Sequence, residues 1–142
     1  DSDYFTIDKK IFPVKNVAGY FSEGEGYDFA FSADSKETFT KVITSPKSVV
    51  QLDLPLEKLG QTLTVGEDSF NGTDWDFYLF SFDAKGNCYG SWNYHDLTSG
   101  YFSSSATATD LTFEWDLFFG EHHVTGHISR PVPIKDFYLF NN

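Results

Sequence analysis

The chain contains no methionine, one cysteine and few basic residues. The last two of these scarcities exclude some classes of protein. Its 10 Lys and Arg residues face 21 Asp and Glu residues, which gives a net charge of −11 at pH 7. Nucleic-acid binding requires basic residues that neutralise phosphates, so this acidic protein should have no nucleic-acid partner. Cys88 is alone, so no internal disulfide can form. No apolar run approaches the roughly 18 residues of a membrane-spanning helix, so we expect no transmembrane segment.

Motifs of catalysis and cofactor binding are also missing from the sequence. It has no Gly-x-Ser-x-Gly elbow and no phosphate-binding glycine loop. Glu114 and Asp116 have the spacing of an acid pair for glycoside cleavage, but nothing predicts a cleft or unequal environments for them. His123 and His127 would lie about 13 Å apart on a strand, too far to bind one zinc ion. We therefore predict a non-enzymatic protein without a cofactor.

Aromatic residues are abundant and favour strands. They make up 19% of the chain, with 16 Phe, 8 Tyr and 3 Trp. From Leu111 to Ser129 apolar and polar residues alternate on both sides of Gly120-Glu121, which suits a two-residue hairpin turn. The predicted register places Leu117 opposite Val124, Trp115 opposite Gly126 and Phe113 opposite Ile128 on one apolar face. The other face carries Glu114 opposite His127 and Asp116 opposite Thr125.

A second hairpin is predicted over residues 76–93, with a turn at Asp83–Asn87. Its predicted core pairs are Phe82 with Cys88, Phe80 with Gly90 and Tyr78 with Trp92. The reverse face then carries Trp75, Phe77, Leu79 and Tyr89, which is unusually apolar for a surface exposed to solvent. Either another layer covers this reverse face, or it binds a ligand.

The whole pattern predicts one all-β domain over residues 1–142. About ten short strands are separated by turns at the spacing of a sandwich or barrel. We expect an antiparallel two-layer β-sandwich, with a closed lipocalin-like barrel as the alternative. Other predicted features are an initial hairpin over 4–14, strands at 27–32, 48–54, 62–65, 101–107 and 135–140, and a helical turn at 55–59 that ends at Gly60.

Four short segments of strand and turn resemble those of a known group of proteins: Tyr4-Phe5-Thr6-Ile7-Asp8, Leu59-Gly60-Gln61-Thr62-Leu63, Ser99-Gly100-Tyr101, and Thr125-Gly126-His127-Ile128 followed by Pro131. With these segments the chain resembles small secreted or surface lipoproteins of Bacteroidetes, and the resemblance spans most of the chain. It implies an all-β fold and an extracytoplasmic location, at the periplasm or cell surface. It also implies a processed product whose lipid-anchoring cysteine has been lost from the N-terminal side. It carries over no catalytic or binding residue.

The strongest functional prediction concerns aromatic residues outside the predicted core. Flat rings with polar tips stack on sugars, while nearby Asp and Asn side chains bind the hydroxyl groups. The predicted ligand-binding residues are Trp75, Phe77, Tyr89 and Tyr94.

A weaker prediction concerns calcium. Glu67 and Asn71 lie in an acidic loop with the candidate ligands Asp68, Asp74 and Asp76, and oxygen ligands of this kind suit Ca²⁺. Their spacing does not match an EF-hand, so we favour an ordinary solvated turn.

These observations favour a non-enzymatic extracytoplasmic binding module, with a glycan as the candidate ligand. One alternative is a structural or assembly protein that contacts another protein through an apolar patch. The other is a lipocalin-like carrier of an apolar ligand.

Overall fold

The computed structural model describes residues 3–23, 26–33, 49–66, 76–82, 88–92, 96–132 and 134–136. Their strands form two sheets of six strands each, which pack face to face as the expected β-sandwich. The strands are β1 Tyr4–Ile7, β2 Lys10–Pro13, β3 Asn16–Ser22, β4 Gly26–Ser32, β5 Val49–Leu54, β6 Thr62–Thr64, β7 Asp76–Phe82, β8 Cys88–Trp92, β9 Ser99–Ala106, β10 Leu111–Phe119, β11 His122–Arg130 and β12 Ile134–Asp136.

The first sheet has the order β2-β1-β11-β10-β9-β6, and the second has the order β12-β3-β4-β5-β7-β8. Every neighbouring pair is antiparallel except β12, which runs parallel to β3. Each sheet of described strands has two free edges, so these strands do not close into the barrel that was the alternative. A one-turn 3-10 helix, Leu56–Lys58, connects the sheets where a helical turn was predicted. Gly60 follows it with the expected positive φ of 92°.

The hairpin of β10 and β11 confirms the register predicted from the alternation of residues. Trp115 pairs with Gly126, Leu117 with Val124 and Phe113 with Ile128. The buried and exposed positions alternate along both strands, because successive side chains of a strand point to opposite faces. The indole of Trp115 lies over the Cα of Gly126, in the space that a Cβ atom would need.

Aromatic rings from both sheets meet in the core between them, among a larger number of aliphatic side chains. Phe29 and Phe31 of the second sheet contact Phe113 of the first, with ring centroids 4.9 and 5.2 Å apart. Phe31 also stacks on Trp115 at 5.6 Å. These distances are those of favourable aromatic pairs, so burial and ring packing together hold the two sheets to each other.

The predicted core face of the hairpin of β7 and β8 is wrong. Phe77 and Leu79, expected on the reverse face, are fully buried in the core. Phe82 pairs with Cys88 as expected, but a β-bulge next to it shifts the register. Gly90 therefore pairs with Ser81 instead of Phe80, and Trp92 pairs with Leu79 instead of Tyr78. The extra residue of a bulge shifts the pairing by one position, and alternation cannot predict that shift.

Strand β3 was not predicted from the sequence. Its buried residues, Ala18, Gly19 and Tyr20, are consecutive, so the segment lacks an alternating pattern. Both faces of the second sheet are buried at this point. Phe29 and Phe31 of β4 lie on the core face, and Ala30 and Ser32, which lie on the opposite face, are buried as well. Strands buried on both faces do not show the hydrophobic alternation of half-exposed strands.

Candidate functional site

Of the residues predicted to bind a ligand, Phe77 has a described side chain, and it is buried. Its ring packs against Trp115 at 5.5 Å and Phe102 at 6.5 Å, so it cannot stack on a ligand at the surface. Trp75 and Tyr94 lie outside the described residues. Tyr89 belongs to β8, but the structure describes only its backbone. The binding role of these three residues stays a prediction.

The calcium candidates are in a similar position. Asp68 and Asp74 lie outside the described residues. Asp76 begins β7, where its backbone pairs with Asp53 of β5, and its side chain lies outside the description. Within the described part of the chain, no group of three or more His, Cys, Asp or Glu residues has the arrangement of a metal site.

The open surface of the described sandwich is the outer face of the first sheet. On β10, Glu114 is exposed and Thr112, Asp116 and Phe118 are half-buried, whereas the intervening residues are buried in the core. The second sheet differs, because Tyr20, Ala30 and Ser32 are buried there. We use the name "outer face" for these outward residues of the first sheet: Tyr4, Thr6, Thr62, Thr64, Tyr101, Ser103, Glu114, Asp116, His123, Thr125 and His127.

Two histidine–carboxylate pairs occupy the centre of the outer face. His127 Nδ1 lies 3.0 Å from Glu114 Oε1, between residues that face each other across β10 and β11. His123 Nε2 lies 2.7 Å from Asp116 Oδ1, and its ring stacks on Phe118 with centroids 4.3 Å apart. These contacts fix the orientations of both carboxylates. Side-chain exposures of 50% for Glu114 and 46% for Asp116 leave them accessible from solvent.

Hydroxyl groups continue this polar surface on both sides of the central pairs. Thr6 on β1 and Thr125 on β11 share a hydrogen bond of 2.6 Å between their Oγ1 atoms. Thr62 on β6 and Ser103 on β9 share one of 3.0 Å. Cross-strand hydroxyl pairs of this kind stabilise a sheet, and they also present donors and acceptors to solvent.

Two tyrosines lie on either side of the polar centre. Tyr4 pairs with His127, and Tyr101 pairs with Asp116. Their exposures of 37% and 39% place both among the more exposed large side chains of the described residues. Strands β11 and β10 separate them, so strand spacing and the two-residue offset put their Cα atoms about 16 Å apart. The outer face is therefore a flat polar surface with an aromatic ring at each side.

The end of the outer face is fixed by a carboxylate that joins two hairpin turns. Asp8 lies in the turn between β1 and β2 and accepts a 2.9 Å hydrogen bond from the backbone N–H of His123 through Oδ1. Its Oδ2 lies 2.8 Å from His122 Nδ1. The His122 contact and the His123 N–H hold the pKa of Asp8 below its usual value. Asp8 and Lys9 both have positive φ, as a tight hairpin turn with matching twist requires.

A second ion pair anchors the other end of the same strands. Asp3 binds Arg130 through Oδ2, and its Oδ1 accepts a 2.9 Å hydrogen bond from Ser129 N–H. An open depression beside this pair is lined by Pro13, Val14, Lys15 and Pro131 as well. Because Asp3 and Arg130 neutralise each other, we interpret this feature as an anchor for the start of β1.

Part of the outer face was predictable and part was not. The pairing of Glu114 with His127 follows from the hairpin register and is confirmed. Asp116 was expected opposite Thr125, and that register is confirmed, but its side chain binds His123 diagonally across the strands. Tyr4 and Tyr101 were not proposed as site residues, because their positions beside the polar centre depend on which strands become neighbours of β10 and β11.

Comparisons with protein-family models, curated proteins and solved structures find no match to this chain. Among the described residues, no helix has the length and apolar character needed to cross a membrane.

Proposed function

We propose that this protein is a non-enzymatic binding module whose outer face binds a glycan. The observation that carries the proposal is the pair of exposed tyrosines, Tyr4 and Tyr101, on either side of a flat centre of carboxylates, imidazoles and hydroxyls. A sugar presents an apolar ring face and a rim of hydroxyl groups, so it needs both kinds of contact. Aromatic rings supply the first, and a few fixed polar groups supply the second.

The polar groups of the outer face are held in place before any ligand binds. Glu114 and Asp116 are oriented by their histidines, and Thr6 by its hydrogen bond to Thr125. Fixed groups lose little conformational entropy on binding, which favours affinity. Strands β10 and β11 run beneath this centre with nine paired residues each, so the support is regular sheet instead of a loop.

An extracytoplasmic location and a lipid-anchored precursor are part of the proposal. Their support is the resemblance of the turn and strand segments to surface lipoproteins of Bacteroidetes. The high negative charge is consistent with a soluble module held away from an anionic membrane surface.

A glycan array followed by calorimetry on any ligand found tests the proposal. Tyr101→Ala and Tyr4→Ala should each weaken binding by about tenfold or more, because exposed aromatic residues supply much of the energy at such surfaces. Ile134→Ala is the matched control, since Ile134 is 41% exposed but belongs to the second sheet. The absence of any array ligand, or equal losses in the control, would contradict the proposal.

The same assay separates the outer face from the aromatic residues proposed from the sequence. Trp75→Ala should leave binding unchanged if the outer face is the site. Loss of binding in Trp75→Ala with full binding in Tyr101→Ala would place the ligand at the aromatic group of Trp75, Tyr89 and Tyr94 instead.

The assembly alternative is supported by one observation at a sheet edge. Ile11 is the most exposed large apolar residue described, and it lies on the edge strand β2. Exposed edges are sites where other strands can add. If the protein assembles through this edge, light scattering should detect an oligomer that Ile11→Lys dissociates.

The carrier alternative needs an internal cavity for an apolar ligand. In the described interior, rings from both sheets contact one another at centroid distances of 4.9 to 6.5 Å. This packing favours a solid core over a carrier.

A further inference from the structure

We infer that the glycan bound by the outer face carries free amino groups. The inference rests on the proposed function and specifies the chemical class of its ligand. It starts from the charge of the surface. Outward positions on the described strands of the first sheet include Glu114 and Asp116, and none of these positions is a lysine or arginine.

Each of these carboxylates still has an oxygen available for a ligand. His127 contacts Oε1 of Glu114, and His123 contacts Oδ1 of Asp116. Within the described part of the chain, Glu114 Oε2 and Asp116 Oδ2 take part in no hydrogen bond. An ionised carboxylate is an acceptor only, so these oxygens can accept hydrogen bonds from donors on a ligand. A protonated amine supplies both donors and a complementary charge.

The positions of the carboxylates match those of the tyrosines. Asp116 pairs with Tyr101 across β9 and β10, and Glu114 is separated from Tyr4 by His127 alone along one row of the sheet. Glu114 and Asp116 are two residues apart on one strand, so their Cα atoms lie about 7 Å apart. A sugar stacked on Tyr101 therefore lies beside Asp116, and a ligand that extends from Tyr4 across His127 reaches Glu114.

The charge of the whole chain acts in the same direction. With a net charge of −11, the protein attracts cationic ligands and repels uronates and sulfated sugars. Complementary charge contributes specificity more than affinity, so neutral glycans should bind more weakly and anionic ones least.

Titration calorimetry with three oligosaccharides of equal length tests the inference: a glucosamine oligomer, its fully N-acetylated form and a galacturonate oligomer. The glucosamine oligomer should bind about tenfold more tightly than the N-acetylated form, because two half-exposed ion pairs together contribute about that factor. Added salt should reduce this preference. The galacturonate oligomer should bind most weakly.

Variants of the outer face distinguish a specific site from general attraction to an acidic protein. The double variant Glu114→Gln with Asp116→Asn should lose the preference for the amine, so that its affinities for the glucosamine and N-acetylated oligomers become equal. Glu121→Gln removes the same kind of charge from the exposed β10–β11 turn and should keep the preference. Retention of the preference in the double variant would overturn the inference.

The outcomes also separate this inference from the proposed function. Equal affinity for the amine and N-acetylated forms, with binding lost in Tyr101→Ala, would overturn the amine preference and leave the glycan-binding face intact. No binding of any of the three oligomers would overturn the amine preference alone, whereas binding that Tyr101→Ala leaves unchanged would overturn both.

Discussion

The contact between Trp115 and Gly126 makes the substitution Gly126→Ala a strong test of the fold. A Cβ atom at residue 126 would lie 2.7 Å from Cη2 of the indole and closer still to Cζ2 and Cε2. Ordinary contacts of a Cβ atom are 3.4 Å or longer. The ring would therefore have to move by roughly an ångström or more to accept an alanine.

The indole has no free space in which to move. It is fully enclosed by the core and has ring neighbours on several sides: Phe31 at 5.6 Å, Phe77 at 5.5 Å and Phe102 at 6.1 Å between centroids. Overpacking a close-packed core costs about 1–3 kcal/mol, and the severity of this overlap favours the upper end. For a chain of this size, about 3 kcal/mol lowers the melting temperature by roughly 10 °C.

A double-mutant cycle isolates this contact from the general effect of the substitution. Trp115→Leu alone should destabilise the protein by about 3 kcal/mol through the lost volume. In that background Gly126→Ala should be neutral or stabilising by about 0.5 kcal/mol, because alanine is less flexible than glycine in the unfolded chain. Urea unfolding of the four proteins should give a coupling energy of about 3–3.5 kcal/mol. Additive effects would show that the ring does not lie over residue 126.

Three further predictions concern the core, the contacts of Asp8 with His122 and His123, and metal binding. Phe77→Ala should lower the free energy of unfolding by about 3–5 kcal/mol in urea titrations. An unchanged free energy of unfolding would show that Phe77 is exposed and not buried in the core. Asp8→Asn should destabilise the protein above about pH 5 and lose that effect in more acidic solution. The reason is that the pKa of Asp8 is lower in the folded protein than its ordinary value of 3.8. The charged carboxylate therefore stabilises the fold at pH values above 3.8, and this stabilisation is lost as the pH falls through the pKa of the folded state. A difference in melting temperature between Asp8→Asn and wild type that stays constant down to acid pH would contradict this prediction. Millimolar calcium or EDTA should leave the melting temperature unchanged, and a rise with calcium would show that Asp68, Asp74 and Asp76 bind the ion.

The sequence by itself determined the parts of the fold that depend on local contacts. Strands β10 and β11 are joined by a two-residue turn, so the alternation of their residues sets both the register and the core face. The same reasoning correctly predicted the strands at 27–32 and 48–54, which are β4 and β5. The contact of Glu114 with His127 follows from that register alone.

Only the tertiary structure decided features that depend on distant segments or on an irregular ladder. The bulge beside Phe82 shifts the pairing of β7 and β8. Phe77 lies in the core because it packs against Trp115 and Phe102 of the facing sheet. The choice between two apolar faces of one hairpin depends on what packs against each face, which alternation does not show.

The candidate site also combines a part that the sequence predicts with a part that depends on the tertiary structure. Its polar centre comes from one hairpin and was readable along the chain. Its aromatic sides come from Tyr4, more than a hundred residues from its neighbour His127, and from Tyr101 on β9. The order β1-β11-β10-β9 brings them together, and that order results from burying the apolar face of every strand in one core.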